Sequence, residues 1–269
     1  MTRRTVVVTI AHGRHDHLAR QVRSLASGSQ RAGQVLVAMA DPALAAWGRR
    51  AGLHVVDLDA DPAALPLAAA RNTGARAALE QGADTVVFLD VDCLAGTDLV
   101  AGYADVVARQ PGTIWSGPVT YLPPGLTEEQ LRAPELLDAP HRARPAPAPG
   151  QVLPGADPDL FWSLSFAVDA TAWDLVGGFC EDYTGYGGED TDFARQALAQ
   201  GIGLGWTGTA RAYHQHHPTQ EPPVQHLDAI LRNGALFAER WGTWPMAGWL
   251  QAFEERGLVE RTAAGWQRA

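Results

Sequence analysis

A chain of 269 residues, 46% of them apolar, is long enough to bury a core and too hydrophobic to be disordered. Its net charge is −9 and no basic run interrupts it, which excludes nucleic acid as a main partner. An acidic chain still handles an anionic ligand where a bound cation supplies local charge.

Thr5-Val6-Val7-Val8-Thr9-Ile10 is continuous and β-branched, the composition of a strand buried on both faces. The preceding basic start, Met1-Thr2-Arg3-Arg4, and this run break at His12-Gly13-Arg14-His15. The segment is too short to export or span a membrane, and the expectation is a cytoplasmic protein. A helical pattern follows from His17 to about Ala26, then strands over 34–39 and 54–58, with a Pro-initiated helix from Asp41-Pro42 to Arg50 between them. Leu67 to Glu80 is Ala-rich and helical, and Gly82 stops it. Thr85 to Leu89 is another buried strand, ending at Asp90-Val91-Asp92. Strand and helix alternate four times over this stretch, the pattern of a parallel, Rossmann-like nucleotide-binding sheet. Ligands of such sheets sit beyond the carboxyl ends of the strands, where Asp90 and Asp92 fall.

Beyond residue 110 the order loosens. Strands are predicted over 112–119 and 164–168. Residues 123–158 are rich in Pro and Ala, with a helical pattern only around Thr127 to Leu137, and read as a mobile flap. A helix is expected from Asp192 to Gln200, and helical periodicity runs from Val224 to Arg240. Trp241, Trp244 and Trp249 follow among balanced charges, so the tail is expected to pack on protein, with dimerisation as the leading version, rather than on a membrane. Cys93 and Cys180 have no zinc spacing. Two thiols in this length fit a reducing compartment, although spacing alone leaves a disulfide open.

Three blocks carry chemistry. Asp90 and Asp92 alternate at a strand end and can both reach one hard divalent ion, Mg²⁺ or Mn²⁺; a bare D-x-D is also common as two solvated acids. Gly185-Tyr186-Gly187-Gly188-Glu189-Asp190-Thr191-Asp192 gathers acids and glycines before a helix. Helix capping accounts for Asp192 but not for Tyr186 or the paired glycines. Tyr213-His214-Gln215-His216-His217 offers imidazoles that either bind a metal or form a surface cluster.

In this order, with Ala70-Arg71-Asn72-x-Gly74 before them and Gly177-Gly178-Phe179 between, the blocks resemble the GT-A glycosyltransferases of family 2. The C-terminal half is similar to β-1,4-galactosyltransferases and polypeptide N-acetylgalactosaminyltransferases. The resemblance runs from about residue 5 to 218 and implies an α/β GT-A fold in one domain. Residues 1–110 would form the nucleotide-sugar half, 111–218 the acceptor and catalytic half, and 219–269 a helical tail. It further implies Asp92 and His214, with Asp90, as metal ligands, His216 and His217 being weaker candidates. Arg14, Asp57, Arg71, Asn72 and Asp90 would serve the donor. Tyr186, Gly187 and Gly188 would face the acceptor, Tyr186 standing where the galactosyltransferases have Trp. Asp190 would be the general base of an inverting transfer and Glu189 an acceptor-binding acid. The implied partners are a nucleotide diphosphate sugar, with UDP as the expected base, and a saccharide, lipid-linked or small-molecule acceptor. A nucleotidyltransferase is disfavoured, because the loop after the first strand has one glycine. A retaining transferase and a non-catalytic sugar-binding descendant are the alternatives; Asp92, Asp190 and His214 are all present, against the second.

Overall fold

The computed structural model describes residues 3–263 and 265–269. Met1 and Thr2, part of the basic start, and Ala264 lie outside the described residues. β1 (Thr5–Ala11) is buried throughout. Its even-numbered valines face one apolar layer with Phe88, Phe166 and Phe193, and Val7 faces the other with Leu89, Tyr103 and Trp115. Both faces are therefore covered, which is why the run does not alternate with polar residues.

α1 (His15–Ser27), β2 (Gly33–Met39), α2 (Pro42–Arg50), β3 (His54–Leu58), α3 (Leu67–Glu80) and β4 (Thr85–Leu89) complete the regular half. The Asp41 carboxylate caps α2 by accepting from the Leu44 N–H at 2.9 Å. α3 lies hard against the sheet at Gly74, where a Cβ would stand 2.3 Å from Val8 Cγ1. That close approach fixes where the preceding turn of α3 delivers Arg71.

Next come β5 (Cys93–Ala95), α4 (Leu99–Arg109), β6 (Thr113–Ser116), β7 (Val119–Tyr121), α5 (Glu128–Arg132) and β8 (Val152–Pro154). α4 went unread in the sequence, although its buried Leu99, Tyr103, Val106 and Val107 recur at helical spacing. β9 (Ser165–Asp169), α6 (Ala170–Val176), α7 (Glu189–Ala199), β10 (Gly203–Thr207) and β11 (Ala212–His214) follow. Among the described residues the large sheet runs β3-β2-β1-β4-β9-β6-β10-β8, and a small one runs β5-β11-β7. β1 to β4 are parallel, and β9 enters antiparallel between β4 and β6.

Two expectations change. α7 begins at Glu189 rather than Asp192, because Gly188 at φ 92° supplies a left-handed entry, so both Glu189 and Asp190 stand in the first turn. Residues 123–158 are fastened rather than free. β8 pairs with β10, Arg20 and Arg23 hold Glu128 on α5, and the Arg144 side chain is buried. Composition concealed this, since edge strands and single anchors need no apolar run.

The tail contains α8 (Leu227–Trp241), α9 (Ala247–Glu255) and a hairpin of β12 (Val259–Thr262) and β13 (Gly265–Arg268). Leu227, Ile230, Leu250, Phe253 and Val259 give it a small core of its own. Its tryptophans are engaged within the chain: Trp241 donates to Asp192, Trp244 covers Gly234, and Trp249 stands beside Tyr186. No described helix is long and apolar enough to cross a membrane. Cys93 and Cys180 are both free thiols.

Candidate active site

β4 stops at Leu89 and the chain turns sharply, the Cys93 N–H donating to Asp90 O at 2.8 Å. β5 then pairs antiparallel with β11, setting Cys93 opposite His214. The Gln215 N–H donates to Asp92 O at 2.7 Å and extends that register by one step. The consequence is a cluster: Asp92 Oδ2 lies 3.4 Å from His214 Nε2 and 3.3 Å from His217 Nε2. One ligand atom from each of the three lies within 4.8 Å of the others. Burial alone would raise the Asp92 carboxyl, but hydrogen bonds and charge from the two imidazoles outweigh it and hold the group well below the usual carboxylate range. One carboxylate and two imidazoles fit a divalent ion of the Mn²⁺ type. His217, a weaker candidate than His214 in the sequence, belongs to this cluster, and Asp90 does not.

Asp90 instead faces Arg71, whose Nη2 donates to Asp90 Oδ1 at 3.3 Å and whose Nη1 donates to Glu189 Oε1 at 3.2 Å. This buried guanidinium ties β4, α3 and the start of α7 together. Burial pushes Asp90 up to about 6 against the pull of Arg71. Glu189 is thus held in an ion pair, with its side chain 8% exposed, and it still lines the cleft. Asn72 grips the Gly177-Gly178-Phe179 turn: Nδ2 donates to Phe179 O, and Oδ1 accepts from the Phe179 N–H. A Cβ on Gly178 would stand 2.6 Å from Asn72 Oδ1. The motif resemblance assigned Asn72 to the donor; in the structure its side chain is occupied in holding this turn.

A cleft of about 470 Å³ opens between these groups and the tail. Asp90, Arg71, Glu189 and Asp190 line one side, with Tyr121, Trp162, Tyr186 and Trp249 around the rest. Tyr121 also stacks on His214, 4.6 Å between ring centroids, which connects the Asp92 cluster to the cleft. Asp190 is pushed up to about 7, first by desolvation and then by its neighbour Glu189, with the Thr191 N–H and Arg71 pulling the other way. A carboxyl titrating near neutrality inside a cleft is suited to take a proton. The loop before it turns through Gly185, Gly187 and Gly188, all at positive φ. Asn233 Nδ2 on α8 donates to Thr184 O at 3.1 Å and to Gly187 O at 2.9 Å. Behind Trp162, the Arg144 guanidinium is sandwiched 5.0 Å from that ring and 4.7 Å from Trp206, with no hydrogen-bond partner among the described residues.

The remaining candidates lie apart. Arg14 is exposed at the N-cap of α1 with φ 57°, and Asp57 at the end of β3 is exposed in an ion pair with Arg49. Neither lines the cleft. Sequence reasoning missed Tyr121, Trp162, Met246 and the cleft role of Trp249. Only the aromatic character of Tyr121, Trp162 and Trp249 signalled them, and aromatics are as often core. A separate hollow of about 340 Å³ between α1 and α5 is lined by Arg20 and Arg23, both paired with Glu128.

Residues 159–218 match the family described as the N-terminal domain of galactosyltransferase. Two validoxylamine A glucosyltransferases, from Streptomyces hygroscopicus subsp. jinggangensis and subsp. limoneus, are 33% identical over 80 residues, or 30% of this chain. The matched stretch spans only 18% and 17% of those relatives. Among solved structures, residues 1–349 of S. aureus TarS superpose with a TM-score of 0.59 at 13% identity, covering 92% of this chain and 68% of that one. GalNAc-T7, solved with UDP, GalNAc and Mn²⁺, gives 0.57 at 13% identity, covering 94% and 57%. The chain therefore has the GT-A glycosyltransferase fold, with a galactosyltransferase-type segment that carries Glu189, Asp190, His214 and His217.

Proposed function

We propose that the protein is a metal-dependent, inverting glycosyltransferase that uses a nucleotide diphosphate sugar, with UDP as its nucleotide. One observation carries the reading: a ligand cluster, Asp92-His214-His217, and an acid at about 7, Asp190, are joined to one cleft by Tyr121. A divalent ion bound there would neutralise the departing diphosphate as a Lewis acid. The chain's own groups do the rest. Asp190 takes the proton of the acceptor hydroxyl as that oxygen attacks the anomeric carbon and the bond to the diphosphate breaks. A single displacement with one base inverts the anomeric centre. Arg71 holds Asp90 and Glu189 in place at the donor edge. TarS has been solved with UDP-GlcNAc, which supports a uridine donor. The two free thiols suit a cytoplasmic setting.

Calorimetry of UDP binding after EDTA treatment, with and without added Mn²⁺, tests the metal. Tight binding is expected only with Mn²⁺; equal affinity in both conditions refutes the cluster as a donor-metal site.

A further inference from the structure

We infer that the tail builds the acceptor subsite, and that the subsite takes a ring polyol, a pyranoside or cyclitol, that is neutral or amine-bearing and not anionic. This rests on the glycosyltransferase reading for its place in the reaction, while the subsite stands on its own observations.

The far wall of the cleft comes from residues beyond the galactosyltransferase-type segment: Met246, Gly248 and Trp249. They are rigidly delivered. Leu250 and Phe253, on the same helix as Trp249, are buried in the small core of the tail. Met246, at φ 55°, turns the chain into α9 and lies against Gly187, where a Cβ would meet its Sδ at 2.7 Å. Gly187 is thus required by both its φ of 99° and its neighbour.

Trp249 then stands 5.8 Å from Tyr186, their rings 31° apart. Tyr186 stacks on His226 at 4.7 Å yet remains 39% exposed. Two partly open aromatic rings side by side, with hydroxyl acceptors adjacent, suit a flat ring with an apolar face and a polar edge. An extended acyl chain or a peptide would leave the carboxylates unused.

Charge makes the choice narrower. Asp159 is bound by Arg195, while Arg71 is shared by Asp90 and Glu189. Among the described residues no cation lies within ion-pair distance of Asp190, whose carboxylate accepts from the Thr191 N–H at 2.8 Å. Arg144, the other cation nearby, lies behind Trp162. A carboxylate or phosphate on the acceptor would meet Asp90, Glu189 and Asp190 against the single shared guanidinium of Arg71; an ammonium would not be repelled.

Saturation-transfer NMR on the protein with UDP and Mn²⁺ tests this, using methyl β-D-glucopyranoside, myo-inositol, glucosamine and glucuronate as probes at pH 8. The first three are expected to receive saturation and glucuronate to receive little. Trp249→Ala should weaken the first three about tenfold, near 1.4 kcal/mol, and Trp249→Phe should recover most of the loss. Glucuronate binding as well as the glucoside, or unchanged affinity in Trp249→Ala with a native melting curve, overturns the proposal. UDP calorimetry on the same samples separates the two readings. UDP binding with no Trp249 effect sinks the subsite alone. Ring binding that depends on Trp249 without UDP binding sinks the donor reading alone.

Discussion

The two parts of the candidate site treat one residue type in opposite ways. Asp92, at the end of the regular half, is surrounded by His214 and His217 and held ionised. Asp190, in the irregular half, is half-buried beside another acid and pushed up to about 7. On the proposed reading, environment assigns a ligand and a base from identical side chains. The supporting structure differs in the same way. Asp92 is placed by a strand end and by strand register, whereas Asp190 depends on glycine turns and on a helix from the tail.

The sharpest test of that contrast is Asp190→Asn. Loss of a base should lower kcat by about 10²–10⁴-fold with UDP affinity unchanged; near wild-type transfer would reduce Asp190 to a helix-turn acid. The same group sets a pH sign. In the wild type, kcat/KM should fall as pH drops below about 7. Because folding raises this carboxyl from 3.8, stability relative to the protonated form is lost as pH rises through about 7. Asp190→Asn should therefore raise Tm by about 2–4 °C at pH 8 and leave it unchanged near pH 3.

Arg71→Ala comes next and breaks the joint between the two parts. It leaves the buried Glu189 and the half-buried Asp90 without their cation, at a cost of about 3–5 kcal/mol in urea unfolding. A loss below about 1 kcal/mol would mean that water replaces the guanidinium. The smallest expected effect sharpens the donor end: His217→Ala should weaken Mn²⁺ about tenfold or more by calorimetry, if the cluster holds the ion. Unchanged affinity would return the role to Asp92 and His214 with another partner.

The regular half was readable because its signals are local. β1, β4 and α3 follow from a β-branched run, an apolar run and an Ala-rich helix, each bounded within a few residues. Asp90, Asp92 and Asp190 were singled out by motif, and the structure sets Asp90 and Asp190 in one cleft. It did not say which atoms meet. His217 enters the cluster only because β11 is in register with β5, and Asp90 leaves it because Arg71, nineteen residues earlier, reaches it first. Trp249 was legible as an aromatic but not as a wall, since that depends on where a separate small core sets α9.

Asp192 gives the molecule a seam. This fully buried carboxylate accepts from Arg240 Nε at 2.6 Å, Trp241 Nε1 at 2.7 Å and the Tyr183 hydroxyl at 3.2 Å. It works as a socket, and the end of α8 is the plug. A lineage could exchange the tail from α8 onward, with its small core and the far wall of the cleft, while leaving Asp190 and the Asp92 cluster in place. Recombining tails among relatives that keep an acid in the socket and an Arg-Trp pair in the plug is accordingly the natural graft boundary for redirecting what this scaffold modifies.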